Sequence, residues 1–258
     1  RQFQVDKGER VDFVDGSPRV TIWGNTDFCK NNKCSGVDIF TNSVDINFNT
    51  HDISLTKGNE KINLDLSESN HTLCVVDTGG NHANLTGDYA DITLECHAVS
   101  ECLGVEFLRD ADEEKFYQNI AEIREKCGDR AMLRAMHFFA ENKRVLTQKA
   151  ALKRGDFNTF FVAVKRSGES SYDLLQNVYS PSNPKEQAIS LALALTKQFL
   201  NGRGAYRVHG GGFAGTIQCY IPNKMFDAYK TMIETVFGEN SCVKLFVRAV
   251  GGYELKGE

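Results

Sequence analysis

The chain contains few prolines and no long hydrophobic run. Its 258 residues include four prolines and one tryptophan. The longest apolar stretch, around 188–194, is far shorter than the roughly 20 residues that a helix needs to span a bilayer. Because prolines are scarce and no repeat or low-complexity tract occurs, long disordered linkers are not expected. We therefore predict a globular protein with no membrane segment.

The chain also lacks a strong excess of charge of one sign. Its formal net charge is -4, and acidic and basic residues are spread along its whole length. No basic patch with interleaved aromatic residues occurs, so we expect no nucleic-acid partner. The hydrophobic fraction of 41% and the charged fraction of 25% are those of an ordinary globular domain.

The eight cysteines show no spacing that is typical of a metal site or a zinc finger. Most of them lie within apolar runs, such as the run 73–76 that contains Cys74. We find no pattern of a secretory signal. The cysteines therefore favour buried, reduced thiols in a cytoplasmic protein, with a disulfide framework as the alternative.

The order of predicted elements indicates an α+β fold in two parts. Residues 1–70 form a β-rich part, with alternating segments at 10–14, 19–23, 43–48 and 52–56. Residues 71–258 form a second domain, an antiparallel sheet with helices packed on one face. Its strands are predicted at 72–76, 205–208, 216–221 and 242–247, and its helices at 88–103, 130–154, 157–166, 184–200 and 224–237. We expect Asp156 and Asn183 to be N-caps, with Pro184 in the first helical position.

A glycine-rich segment, RVHGGGFAGTI at 207–217, separates two of these strands. Glycine reaches positive φ at little steric cost and lets backbone amides approach a ligand. Successive amides in such a loop can form a nest for phosphate oxygens. A glycine-rich β-turn without a ligand is the alternative.

Several further segments occur in one order with this loop. They are CVVDTGGNHANLTGDY at 74–89, LRD at 108–110, RAMLRAMHFFAENKRV at 130–145, KRGDF at 153–157, SGESSYDLLQNVYS at 167–180 and RVHGGGFAGTIQCYIP at 207–222. Together they resemble the C-terminal lobe of galactokinases, which belong to the GHMP family of small-molecule kinases. The resemblance covers nearly all of residues 72–250. It implies a GHMP-kinase-like fold in which residues 1–70 are a reduced N-terminal lobe.

The resemblance implies an activity, namely ATP-dependent phosphorylation of galactose or a related sugar at the C1 hydroxyl, with ATP and Mg²⁺ as cofactors. The segment SPRVTIWGNTDF at 17–28 is similar to the family's sugar-binding loop and keeps Arg19 and Asp27. The segment CSGVD at 34–38 is similar to the family's Cys-Gly-x-Met-Asp, whose Asp is the catalytic carboxylate. By resemblance, Asp38 orients or deprotonates the C1 hydroxyl and Arg19 offsets developing negative charge. A strand-edge acid is the alternative interpretation of Asp38.

The resemblance also implies the residues that contact the sugar. Asp27 and Tyr89 would hold it, and Gly210, Gly211 and Gly212 would close the far wall of the cleft. An aromatic side chain at the start of a helix is more often packing, which is the alternative for Tyr89. On the long helix, His137 and Glu141 are four residues apart, and we expect a hydrogen-bond or ion-pair ladder rather than a metal site.

The sequence departs from the family in its phosphate-binding loop. Galactokinases bind ATP phosphates with a Gly-Leu-Ser-Ser-Ser-Ala loop at a helix N-terminus, and no such segment occurs between Asn25 and Asp77. The sugar loop also has Gly24-Asn25 where the family has Glu and His. Either the nucleotide site is lost or an internal segment is missing from the sequence. Two functions therefore stay open, a sugar kinase and a non-catalytic sugar-binding or regulatory relative, and a third possibility is a remnant of the family whose exposed cleft wall binds a partner.

Overall fold

The computed structural model describes residues 9–14, 17–22, 43–47, 52–56, 66–80 and 85–246, with backbone alone for the ranges before residue 57. The chain divides into two compact units, Arg1–Lys61 and Ile62–Glu258. Among the described residues, no helix combines the length and the apolar character that crossing a membrane requires.

The first unit contains an antiparallel sheet of four strands. They are β1 (Glu9–Val14), β2 (Ser17–Ile22), β3 (Ser43–Asn47) and β4 (Asp52–Thr56). Each strand pairs with the next one along the chain, so the order in the sheet is β1-β2-β3-β4. These strands confirm the alternating segments that the sequence predicts.

The second unit contains an antiparallel sheet of order β6-β7-β5-β8 and six α-helices among its described residues. Its strands are β5 (His71–Asp77), β6 (Ala205–Val208), β7 (Thr216–Pro222) and β8 (Cys242–Lys244). Its helices are α1 (Thr86–Cys102), α2 (Glu113–Gln118), α3 (Ile120–Lys153), α4 (Phe157–Ser170), α5 (Ala188–Leu200) and α6 (Phe226–Phe237). The hairpin of β6 and β7 brackets the glycine-rich segment.

Apolar side chains of this second sheet alternate between its two faces, as the period of a strand requires. Cys74 and Val76 of β5 pack in a core that includes residues of α5 and α6. Leu73, the residue before Cys74, packs instead with Tyr220 of β7 and Phe161 of α4. The predicted α+β class with an antiparallel sheet is confirmed, and helices cover a second face in addition to the one that we expected.

Two details of the predicted helices are corrected. The helix expected from residue 184 begins at Ala188, and its N-cap Gln187 makes no capping hydrogen bond through its side chain. Asn183 and Pro184 instead begin a turn in which the Glu186 N–H donates to the Asn183 carbonyl at 3.1 Å. Proline after asparagine is typical of the first two positions of a β-turn, and this local preference prevails over capping.

The other correction concerns the long helix, which starts about ten residues earlier than expected. Residues 120–153 form one run, interrupted at Gly128 by non-helical angles of φ 81° and ψ 169°. At the end of this helix the predicted cap of the next one is confirmed, because the Asp156 carboxylate accepts a hydrogen bond from the Thr159 N–H at 3.0 Å.

Candidate functional site: the glycine loop and its cavity

The glycine loop connects β6 to β7 and is held by contacts at both of its ends. The His209 N–H donates to the Thr216 carbonyl at 2.9 Å. Gly210 and Gly212 have positive φ values of 68° and 82°, which favour glycine at both positions. Gly210 and Gly211 are exposed, whereas Gly212 is buried. The loop therefore presents its first two glycines to solvent and its third to the protein interior.

Tyr89 lies against this loop from the first turn of α1. Its hydroxyl donates to the Gly212 carbonyl at 2.7 Å, and its ring makes an edge contact with Phe213 at a centroid distance of 5.2 Å. A Cβ atom at Gly211 would lie 2.8 Å from Cε1 of Tyr89, so glycine is what permits this approach. Burial, followed by the negative charge of Asp88, raises the pKa of Tyr89 and keeps its hydroxyl protonated.

Asn177 forms hydrogen bonds with the glycine loop, and the sequence did not predict this role. Its Nδ2 donates to the Gly211 carbonyl at 3.0 Å, and its own carbonyl accepts from the Phe213 N–H at 2.5 Å. A buried polar side chain needs such partners, and Asn177 is only 3% exposed. The feature of the sequence that could have indicated Asn177 was its position inside the serine-rich segment 167–180. We call the set of Tyr89, Asn177, Gly211, Gly212 and Phe213 the glycine-loop cluster.

A cavity of about 460 Å³ adjoins this cluster through Phe213 and Ala214. Among the described residues that line it, Glu186 is the one charged residue, and hydroxyl groups come from Thr78, Ser180 and Ser182. The described lining residues are Thr78, Gly80, Leu85, Ser180, Ser182, Asn183, Glu186, Ala188, Ile189, Phe213 and Ala214. A surface of hydroxyl and apolar groups suits a neutral ligand that carries hydroxyl groups of its own.

A second polar cluster joins α3, α4 and β6. Arg144 donates to the Glu141 carboxylate at 2.7 Å and to the Ser170 hydroxyl at 2.8 Å. Nδ1 of His137 lies 2.9 Å from the same hydroxyl. The predicted ladder of hydrogen bonds and ion pairs is therefore confirmed. We call this group the polar network: His137, Glu141, Arg144, Ser167, Ser170 and Arg207.

Glu141 is the acceptor at the centre of this polar network. Its Oε1 accepts from the Ser167 hydroxyl at 2.5 Å and lies 3.5 Å from the Arg207 guanidinium. Burial alone would raise the pKa of Glu141, but the hydrogen bonds from Ser167 and Arg144 and the nearby arginine charges lower it. Burial lowers the pKa of His137 and favours its neutral form. The network thus holds a neutral imidazole beside an ionised carboxylate.

Known proteins similar to this chain are galactokinases. That of Glaesserella parasuis serovar 5 (strain SH0165) is 30% identical over 161 residues, which cover 62% of this chain and 40% of the relative. That of Actinobacillus pleuropneumoniae is 26% identical over 174 residues, or 67% of this chain and 43% of the relative. No family model matches the chain.

A solved structure similar to this chain is also that of a galactokinase. The crystal structure of Lactococcus lactis galactokinase complexed with galactose aligns with a TM-score of 0.54 and 18% identity, over 79% of this chain and 49% of that chain. The chain is therefore similar in sequence to galactokinases over about two thirds of its own length, and it shares their fold. It spans about two fifths of the length of the curated galactokinases that it matches.

The structure brings together four of the residues that the galactokinase resemblance implicates, namely Tyr89, Gly210, Gly211 and Gly212. Asp27 and Asp38 lie outside the described residues. Arg19 lies in β2, where the backbone alone is described. The roles of all these residues in binding or catalysis stay predictions.

The described residues near the glycine loop provide only part of what the nucleotide and metal of a galactokinase would need. A triphosphate is held by cationic side chains or by a helix N-terminus. Among the described residues that line the cavity, the one charged side chain is the acidic Glu186, while Leu85 and Ala188 lie at the N-terminal ends of α1 and α5. Within the described ranges, no three His, Cys, Asp or Glu side chains come together in a way that could hold a metal ion. The cavity therefore offers two helix N-termini, but no cationic side chain among its described lining, to the phosphates of a nucleotide.

Proposed function

We propose that the protein is a sugar kinase of the galactokinase class, which binds galactose or a closely related hexose and phosphorylates its C1 hydroxyl with ATP. The glycine-loop cluster forms the far wall of the sugar site in this proposal. The observation that carries it is the hydrogen bond of Tyr89 to the buried Gly212, which follows the exposed Gly210 and Gly211 and lies close to a cavity lined mostly by hydroxyl and apolar groups.

The glycine loop supplies rigidity and hydrogen-bond donors in this proposal. Donation from Tyr89 to the Gly212 carbonyl fixes the plane of the tyrosine ring. No hydrogen bond between described residues uses the N–H groups of Gly210 or Gly211, and both residues are exposed. These amides can donate to hydroxyl oxygens of a sugar, which both accept and donate hydrogen bonds. A preorganised wall of this kind positions the sugar at little entropic cost.

The remaining roles in this proposal come from the galactokinase resemblance. Asp38 would accept the proton of the C1 hydroxyl, Arg19 would offset the negative charge that develops there, and Asp27 would hold the sugar together with Tyr89. ATP would supply the phosphoryl group. Positioning and charge stabilisation are most of what phosphoryl transfer asks of a protein.

A second candidate function is sugar binding without catalysis, as a sensor or regulator. It is favoured by one observation, the absence of a serine-rich phosphate loop between Asn25 and Asp77 in the sequence. A chain without that loop would bind the sugar and leave it unphosphorylated.

Calorimetry with galactose and with Mg-ATP, combined with detection of galactose 1-phosphate, separates the two functions. Both of them predict galactose binding that weakens roughly fivefold in Tyr89→Phe, which is about 1 kcal/mol for one lost hydrogen bond. Tyr117→Phe is the matched control, because Tyr117 is an exposed residue of α2. Formation of product supports the kinase, and galactose binding without product supports the second function. If galactose does not bind, both are contradicted.

A further inference from the structure

Two cysteines lie side by side at the surface of the helical part of the second unit. Sγ of Cys102 is 3.5 Å from Sγ of Cys127. Cys102 is the last residue of α1, and Cys127 lies in α3 immediately before Gly128. Cys102 is exposed and Cys127 is half-buried. This corrects, for Cys102, the expectation that the cysteines are buried, and it brings together two thiols that are 25 residues apart.

The other described cysteines have different environments. Cys74, Cys219 and Cys242 are at most 3% exposed and pack in the core between the sheet, α5 and α6. Cys96 is half-buried and packs against the core formed by α1, α2 and α3. Among the described residues, the pair Cys102 and Cys127 alone combines a thiol–thiol contact with an exposed sulfur. Solvent-borne oxidants therefore reach this pair before the thiols of the core.

The backbone beside each of these two cysteines leaves room for adjustment. Gly104, two residues after Cys102, has a φ of 73°, and Gly128 has a φ of 81°. A Cβ atom at either glycine would meet nothing within 4 Å. The two sulfurs must approach from 3.5 Å to the roughly 2.05 Å of a disulfide. A helix end and a helix break can absorb such a small movement, while the half-buried Cys127 stays packed against the edge of the core of α1, α2 and α3.

We propose that Cys102 and Cys127 are a site of reversible disulfide formation, which joins the C-terminal end of α1 to the break in α3 when the protein meets a hydroperoxide. This site is independent of the sugar site, so its test does not depend on the proposed kinase function. The oxidant in this proposal is a hydroperoxide such as hydrogen peroxide. A thiol reductant reduces the disulfide to the two thiols again.

The exposed sulfur reacts first. The Cys102 thiol loses its proton and the thiolate attacks one peroxide oxygen; the O–O bond breaks, Cys102 becomes a sulfenic acid, and the departing hydroxide takes up that proton and leaves as water. The sulfur of Cys127 then attacks the Cys102 sulfur, the S–O bond breaks, and a second water leaves with the Cys127 proton. Two sulfurs lose two electrons in total, and one peroxide becomes two waters. Burial and the hydrogen bond with Cys102 raise the pKa of Cys127 to about 11, which agrees with its role as the second thiol to react.

The experiment treats the reduced full chain with hydrogen peroxide, blocks remaining thiols by alkylation, digests the protein without reductant and maps its peptides by mass spectrometry. We expect a crosslinked pair of peptides that contains Cys102 and Cys127, two hydrogens lighter than the sum of the free peptides and separated by dithiothreitol. The Tm of the crosslinked protein should exceed that of the reduced protein by roughly 5 °C or more, because the bond constrains the unfolded chain.

Three single variants make this test specific. Cys127→Ser should lose the crosslink and accumulate a Cys102 sulfenic acid that reacts with dimedone, whereas Cys102→Ser should lose both products. Cys96→Ser is the matched control in α1 and should keep the crosslink. The proposal is overturned if Cys102 becomes linked to a different cysteine or to a second copy of the chain. It is also overturned if Cys102 is oxidised while Cys127 of the wild type remains open to alkylation, or if the crosslinked protein has an unchanged Tm.

Discussion

The glycine-loop cluster and the polar network are two neighbouring groups built in opposite ways. The first holds no charged side chain, and its hydrogen bonds end on backbone carbonyls. The second is made largely of charged and hydroxyl side chains that bond to one another. The residue types of the polar network, with histidine, glutamate, serine and arginine together, are those of many catalytic sites. Their hydrogen-bonding groups are nevertheless used internally, whereas the loop keeps two exposed amides. In this protein, the neutral cluster is therefore the better candidate for ligand binding.

Gly212→Ala should break the glycine-loop cluster and produce the largest effect. A Cβ atom there would overlap the Asn177 carbonyl oxygen, and the residue has a φ of 82°. Overpacking and the left-handed conformation together should lower the free energy of unfolding by about 3–5 kcal/mol. Urea denaturation measures this loss.

Gly210→Ala is the control for the conformational part of that loss. Gly210 also has a positive φ, of 68°, but a Cβ atom there would meet nothing within 4 Å. It should therefore cost about 1 kcal/mol. Equal losses in the two variants would mean that the contact with Asn177 does not constrain the loop.

Glu141→Ala should break the polar network and produce the next largest effect. It removes the acceptor of both Arg144 and Ser167 and leaves two arginines close together without their carboxylate. The side chains are roughly one fifth exposed, so solvent reduces the loss to about 2–3 kcal/mol. Glu122→Ala is the matched control in the same helix, because its ion pair with Lys126 is exposed. It should leave the stability almost unchanged, because solvent screens an exposed ion pair, and a comparable loss in both variants would contradict the distinction.

The pH dependence of stability should also distinguish the two clusters, with a smaller effect than Gly212→Ala and Glu141→Ala have. The folded-state pKa values of His137 and Glu141 both lie below their ordinary values of 6.5 and 4.5. The unfolded chain therefore takes up protons first as the pH falls. The stabilisation is complete above pH 6.5 and is lost as the pH falls below 6.5 for His137 and below 4.5 for Glu141.

Urea midpoints measured between pH 8 and pH 3 test this expectation. The wild type should lose more stability below pH 4.5 than Glu141→Ala does, because the variant lacks the carboxylate that must be protonated. Gly212→Ala should follow the pH profile of the wild type, since its cluster holds no group that titrates in this range. If wild type and Glu141→Ala have the same profile, the network does not hold an ionised Glu141.

The sequence predicts the strands and most helices of this protein because local patterns determine them. The alternation in 52–56 and the capping residue Asp156 are examples, and the structure confirms both. The predicted start of α5 was wrong because Pro184 suits both a helix N-terminus and a β-turn. Asn177 was missed because its role depends on the loop above it, 34 residues away along the chain. The contact of Cys102 with Cys127 likewise depends on how two helices pack, which no local pattern records.

Removing one hydroxyl from each cluster should have smaller effects than Gly212→Ala and Glu141→Ala do, and it compares single hydrogen bonds. Tyr89→Phe deletes a neutral hydrogen bond to the Gly212 carbonyl and should cost about 1 kcal/mol of unfolding free energy. Ser167→Ala deletes a hydrogen bond to the ionised Glu141 and should cost about 2 kcal/mol, because bonds to charged groups are stronger. Urea denaturation measures both losses, and calorimetry with galactose measures their effect on binding. Only Tyr89→Phe should weaken galactose binding, since Ser167 contacts the polar network rather than the loop. If Ser167→Ala weakens it equally, the polar network contributes to the sugar site and the separation of the two clusters does not hold.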